Sequence, residues 1–254
     1  MERLMRADEL LVSQGKAASR NIAQCLIMAG KVRASADDVV TKPSRKFPVS
    51  QTFLIDQPAK FVSRAGEKLA HFIEIFDVKV TDCVCLDVGA STGGFSDCLL
   101  QNGAKTVLGI DVGYGQLHYK LQKDPRMINL EKTNARNVNS SMLPIKKFDL
   151  IVMDLSFISL KLVLENIWKL LDVNGMLIAL IKPQFEAGKK DADKYAGVIK
   201  DRLLQEKIRD NIINFSLNSL ENSTFIGVTD SPITGTDGNR EFLFGLGKNS
   251  HQSN

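Results

Sequence analysis

The sequence predicts an α/β fold: a doubly wound, mostly parallel sheet of seven strands, preceded by a small α+β unit. Three observations predict it. Short apolar runs alternate with helix-like stretches from residue 83 to residue 247, the pattern of a parallel sheet covered by helices on both faces. The first run, Val84 to Val88, stops at Gly89 and is followed by Gly93, Gly94 and a helical stripe at Phe95, Leu99 and Leu100. Strand, glycine turn and helix in that order open a nucleotide-binding sheet. Finally, residues 1–60 hold ten Lys/Arg against six Asp/Glu, whereas the remainder holds 23 of each. The whole excess of +4 therefore sits in the first quarter, which marks that quarter as a separate unit suited to a polyanion.

The elements follow in order. "RADELLVSQGKA" has helical spacing at Leu10, Leu11 and Gln14 and ends at Gly15; "SRNIAQCLIMAGKV" starts from Ser19 as N-cap and ends at Gly30. A strand at 31–34, a turn at 35–38 and a strand in "QTFLID" complete a unit expected to span 1–59. A larger unit is expected over 60–248, with a polar tail at 249–254. Its first helix carries Leu69, Phe72, Ile73 and Phe76 on one side, and its strands are read at 83–88, 106–111, 127–131, 149–154, 176–182, 224–229 and 241–247. The clearest intervening helices are 161–171 and 202–217. Residues 183–200 read as a loop over the sheet rim. Cys25, Cys83, Cys85 and Cys98 lack zinc-like spacing, so no metal is expected, and they read as small buried thiols of a reducing compartment. No run approaches a membrane span and the first residues lack the apolar core of a signal peptide, so a cytoplasmic protein is expected.

The first unit carries a family pattern. Arg6, Asp8, Leu10, Leu11, Ser19, Arg20, Ile27, Gly30 and Val32 resemble the small RNA-binding domain named after ribosomal protein S-four. Ala7 replaces that pattern's usual leucine, and Ser35-Ala36 its Asn-Gly turn. The resemblance implies contact with RNA, for which Arg6, Arg20, Lys31, Arg33, Lys60 and Arg64 are the candidates.

Three ligands compete for the glycine turn. A nucleoside triphosphate needs a Lys-Ser or Lys-Thr after the last glycine, and none follows Gly94. A dinucleotide needs G-x-G-x-x-G, which the spacing of Gly89, Gly93 and Gly94 does not match. S-adenosylmethionine has no phosphates; it needs close backbone approach and an acid for its ribose hydroxyls. Asp111 ends the next strand in "VLGIDVG", and Asn134 follows the third strand where an adenine amino group could be read. The expected cofactor contacts are Gly89, Ser91, Thr92, Gly93, Gly94, Asp111, Val112, Asn134 and Asp154.

Charged residues also mark the strand ends. Asp154 ends "DLIVMD", Lys182 ends "MLIALIK", Glu241 begins "REFLFGLG", and Lys68 lies on the helix before the first strand. These suit methyl transfer to a poor nucleophile, where the enzyme must align the acceptor and remove its proton. A ribose 2′-hydroxyl is a weak acid, so lysine is a suitable base. Lys182 is the expected base, Lys68 the neighbouring cation, and Asp154 and Glu241 the groups that orient both amines.

Here "DVGASTGGFSDCLLQNGA", "FDLIVMDLSFISL", "LIKPQFEAG" and "SPITGTDGNREFL" resemble the TlyA (hemolysin A) family of ribosomal RNA methyltransferases, whose catalytic domain is similar to the FtsJ-like ribose methyltransferases. The resemblance implies a Rossmann-like methyltransferase sheet, a Lys-Asp-Lys-Glu tetrad at Lys68, Asp154, Lys182 and Glu241, and cytidine 2′-O-methylation of ribosomal RNA or of a ribosomal subunit. Other readings are base N-methylation, from the faint signature in "DLSF"; a catalytically dead ribosome-binding factor, against which the tetrad and Asp111 argue; and a membrane-active hemolysin, which no span or basic amphipathic helix supports.

Overall fold

Ser19 opens a helix because its Oγ accepts the Ile22 N–H at 3.3 Å. That helix, α2 (Arg20–Met28), packs on α1 (Ala7–Ser13). Each ends as the sequence predicts: Lys16 N–H reaches Leu11 O at 2.9 Å beyond Gly15, and Lys31 N–H reaches Leu26 O at 3.0 Å beyond Gly30. The computed structural model describes residues 3–56, 59–187, 198–235 and 238–250, and its contacts group the chain into two compact units, 1–59 and 60–254.

The first unit holds two small antiparallel sheets. Strand β1 (Leu4–Arg6) pairs with β3 (Lys46–Pro48), and β2 (Val32–Arg33) with β4 (Leu54–Ile55). The sequence reading found the second pair and missed the first, which is three residues a side and has no visible alternation. Leu10, Leu11, Ala23, Ile27, Val32, Phe47 and Phe53 form its core, with the two phenylalanines edge to face at 5.0 Å.

The second unit is a seven-stranded sheet in the order β10-β11-β9-β8-β5-β6-β7. Its elements are α3 (Ala65–Ile75), β5 (Val84–Val88), α4 (Gly94–Gln101), β6 (Thr106–Ile110), α5 (Tyr119–Gln122), β7 (Met127–Leu130), β8 (Phe148–Met153), α6 (Leu164–Trp168), β9 (Leu171–Ile181), α7 (Pro183–Glu186), α8 (Arg202–Ser219), β10 (Ser223–Asp230) and β11 (Phe242–Lys248). Strands β5 to β9 pair in parallel, while β11 is antiparallel to both β9 and β10. Period-two alternation builds a core on each face. In β8, Leu150 and Val152 join Phe72 and Leu99 beneath α3 and α4; Ile151 and Met153 join Trp168 and Ile212 beneath α6 and α8.

One helix reading is corrected. Residues 161–171 do not form a continuous helix. Ser159 caps a single 3-10 turn at Leu160–Leu162, α6 spans only five residues, and the strand starts at Leu171 rather than 176. Leu171 pairs with Phe148, and the register shift before Leu150 absorbs residues around Asn174, whose φ is 64°. The Asn-Gly of "LDVNGM" is a kink within β9. Of the expected 183–200 loop, Pro183–Glu186 forms α7 and residues 188–197 lie outside the described residues; so do residues 251–254 of the tail.

Candidate active site

The strand order reverses beside β5, with β6 on one side and β8 on the other, and the crevice beyond the carboxyl ends at such a point binds ligands. Gly89, Asp111, Asp154 and Lys182 directly follow β5, β6, β8 and β9. The first of these must be glycine: its φ is 86°, and a Cβ there would stand 2.5 Å from the Asp154 carbonyl oxygen. The turn continues through Ser91 (φ 48°) and Gly93 (φ 91°) into α4. Ser91 is held in this unfavourable region by Asp111, whose Oδ2 accepts the Ser91 N–H at 2.9 Å. Asp111 Oδ1 accepts the Gly113 N–H at 2.6 Å. Each carboxylate oxygen thus retains one lone pair for a ligand hydroxyl.

Two cavities flank this turn. One, of about 320 Å³, is lined by Gly89, Ser91, Asp111, Val112, Ala135 and Leu155 among others. The second, of about 190 Å³, brings Ser63, Thr92, Gly94, Asp154, Ser156 and Lys182 together. A third, of about 600 Å³, adjoins them through Val112, Leu155 and Ser156, and includes Asn134, Phe157 and Phe185. Nearly all the expected cofactor contacts therefore line one connected rim, with Gly93 shaping the turn beneath it. Asn134 is exposed and its Oδ1 accepts the Arg136 N–H at 3.0 Å. The remaining acceptor capacity of Asp111, close backbone at the glycines and apolar walls at Val112, Ala135 and Leu155 fit S-adenosylmethionine.

The tetrad residues separate into two pairs. Lys68 Nζ donates to Glu241 Oε2 at 2.5 Å, with both side chains almost fully buried. Lys182 Nζ stands 2.7 Å from Asp154 Oδ1 and donates to Ser156 Oγ at 2.8 Å. Phe242 lies opposite Ile181 in the β11–β9 ladder, so Glu241 arrives beside the Lys182 end of its neighbour. Of the two carboxylates expected to orient the two amines, Glu241 takes Lys68 and Asp154 takes Lys182. The Asp87 carboxyl, fully buried in β5, is pushed up to about 7 by desolvation, against the Ser96 hydroxyl that donates to it at 2.6 Å.

Sequence reasoning missed Ser63, Gln116, Leu155, Ser156 and Phe157 as lining residues. Ser156 was discoverable as the polar residue two beyond Asp154; Gln116 donates nothing to a motif, yet its Oε1 accepts from Ser91 Oγ at 3.1 Å. In the first unit, three RNA candidates are committed to carboxylates. Arg6 forks onto Asp8 at 3.0 Å, Arg20 reaches Asp8 and Glu9 at 3.2 and 3.3 Å, and Arg33 holds Asp56 at 3.0 Å. Arg6 holds the Asp8 carboxyl well below the usual carboxylate range. Lys31 is exposed, as are Lys60 and Arg64 in the second unit.

A doubly wound sheet with a glycine turn after its first central strand, an aspartate after the next and a lysine at the same rim has the layout of a methyltransferase-type site. Residues 61–248 match the model of the FtsJ-like methyltransferase family, and the chain belongs to that family. It is 42% identical over 239 residues to "Hemolysin A" of Brachyspira hyodysenteriae, covering 94% of this chain and 98% of that one. It is 39% identical over 249 residues to the 16S/23S rRNA (cytidine-2'-O)-methyltransferase TlyA of Mycobacterium tuberculosis (strain ATCC 25618 / H37Rv), covering 97% and 91% of the two chains. The solved structure of a "Putative hemolysin from Streptococcus thermophilus" is 34% identical, with a TM-score of 0.73 over 98% of this chain and 90% of that one. Among the described residues no helix is long and apolar enough to cross a membrane, and no group of His, Cys, Asp and Glu could hold a metal ion.

Proposed function

We propose that this chain uses S-adenosylmethionine to methylate the 2′-hydroxyl of a cytidine in ribosomal RNA, with Lys182 as general base. The observation that carries the reading is the Lys182 amine, held by Asp154 and Ser156 in the cavity it shares with the Gly89 turn. S-adenosylmethionine supplies a sulfonium methyl that needs no further activation. The chain's own work is to hold the acceptor hydroxyl there and accept its proton at Lys182 Nζ. Asp111 and the glycine turn hold the cofactor, and Asp154 balances the ammonium that forms at Lys182. The names of the relatives support ribosomal RNA as substrate. The first unit, with its net positive charge and exposed Lys31, is assigned to RNA contact, together with Lys60 and Arg64. Ribosomal RNA, alone or within a ribosomal subunit, is the assigned target, in the cytoplasm, and membrane contact forms no part of this reading.

A general base contributes about a hundred- to ten-thousand-fold in rate. Lys182→Ala should lose activity on that scale while retaining the cofactor. Lys182→Arg should be equally inactive, because a guanidinium cannot accept a proton at neutral pH. A 2′-O-methyl group removes the hydroxyl that attacks the adjoining phosphodiester in alkali, so the modified linkage should resist hydrolysis. An active arginine variant would remove the base role from Lys182; an alkali-labile product would move the methyl to a base.

A further inference from the structure

The two neighbours of the Lys182 amine do different jobs. Asp154 Oδ1 is 2.7 Å away, yet it is a buried oxygen with no directed hydrogen bond. It acts on the amine through its charge at short range, not through an aligned hydrogen bond. Ser156 Oγ, at 2.8 Å, accepts a directed N–H from the same nitrogen. We infer that Ser156 is a positioning residue that turns the Lys182 lone pair toward the acceptor hydroxyl. The inference rests on Lys182 being the base.

The physical argument starts from the neutral amine, which carries two N–H groups and one lone pair. Rotation about Cε–Nζ offers staggered arrangements of similar energy, and only those that aim the lone pair into the cavity serve catalysis. The Ser156 oxygen requires one N–H on its side. The Asp154 carboxylate attracts the second N–H and repels a lone pair. The arrangement left points the lone pair at the open side, where Ser156 itself lines all three cavities. In the transfer the acceptor O–H bond breaks and its proton joins the Nζ lone pair. The oxygen forms its bond to the methyl carbon as the carbon–sulfur bond breaks, leaving a neutral thioether. The resulting ammonium keeps both contacts.

Local sequence explains why the hydroxyl is there. β8 ends at Met153, and the chain leaves the sheet through Asp154, Leu155 and Ser156 while Lys182 leaves the adjacent strand β9. The two exits share one rim, so a residue two beyond the acid can reach across to the amine. The other charged groups near it are Asp154 itself and, from α3 and β11, the mutually neutralised Lys68–Glu241 pair.

The test uses the full chain with Ser156→Ala and Ser156→Thr. Methylation rates are followed from about pH 6 to about pH 10, with cofactor affinity and urea midpoint measured alongside. Losing the directed bond should lower the high-pH plateau of kcat about tenfold, leaving KM for RNA, cofactor affinity and urea midpoint unchanged. Ser156→Thr, which keeps the hydroxyl, should restore most of the rate. An undiminished plateau in Ser156→Ala overturns the inference. So does a shift in the midpoint of the profile alone, a fall matched by lost stability, or a threonine variant no better than alanine. An alkali-labile product from the unaltered protein would instead defeat the ribose-methylation reading; an alkali-resistant product with a full-rate alanine variant defeats this inference alone.

Discussion

Breaking the Lys68–Glu241 pair tests whether it holds the fold together at the rim. The Lys68 side chain is 10% exposed and that of Glu241 2%, with the two in contact at 2.5 Å. Removing one partner leaves a buried, uncompensated charge, which costs about 3–5 kcal/mol. Glu241→Ala should lose that much, a large share of the roughly 5–15 kcal/mol that stabilises a domain. Glu241→Gln keeps an oxygen for Lys68 Nζ and removes the charge, so its loss should be smaller, about 1.5–3 kcal/mol. The double variant Lys68→Met with Glu241→Leu removes both charges and fills the space with apolar atoms, so it should lie within about 2 kcal/mol of the starting protein. Urea denaturation of these proteins and of the single variants Lys68→Met and Glu241→Leu at one pH, with slopes compared, yields the coupling energy. A Glu241→Ala loss below about 1 kcal/mol, or a double variant as unstable as the two single losses added, would refute the reasoning. The first result would mean that water reaches the pair; the second would mean that the residues act separately.

Asp111→Ala should weaken S-adenosylmethionine binding by roughly ten- to a hundredfold, since each lost charge-assisted hydrogen bond costs about 1.5–3 kcal/mol; unchanged affinity by calorimetry would remove Asp111 from the site. The Asp87 carboxyl, raised to about 7, keeps its proton when folded and gives it up near 4 when unfolded. Its contribution is therefore fully present below about pH 4 and lost as pH rises through 7, amounting to at most about 4 kcal/mol over three units. Asp87→Asn keeps the Ser96 contact without titrating, so its stability relative to the original should climb between those limits. A pH-independent difference in urea denaturation would contradict this.

What was legible in the sequence had a local cause. Val84–Val88 stops at a glycine that must be a glycine, and Asp111 and Asp154 end strands whose alternation places them at one rim. Which acid takes which lysine has no such signature, because the Lys68–Glu241 contact depends on β11 inserting between β10 and β9, and strand order leaves no periodicity behind. Arg6 and Arg20 show the converse. Sequence displays their charges but not their partners, and Asp8, wholly buried, takes up both. The start of β9 was hidden because Asp-Val-Asn-Gly carries turn chemistry that the sheet absorbs as a kink.

The antiparallel strand explains how four residues far apart in sequence reach one edge. Parallel strands bring only their carboxyl ends to the rim, which delivers Gly89, Asp111, Asp154 and Lys182 from β5, β6, β8 and β9. A further parallel strand beside β9 would bring another carboxyl end there and leave its first residue at the opposite edge. Because β11 runs the other way, its amino end arrives there, and Glu241 comes to rest beside Lys182 and against Lys68 from α3. Its reversal therefore supplies the counter-charge that lets Lys68 remain buried, and it leaves Asp154 and Ser156 as the polar neighbours of Lys182, the lysine that lines the cavity among the described residues.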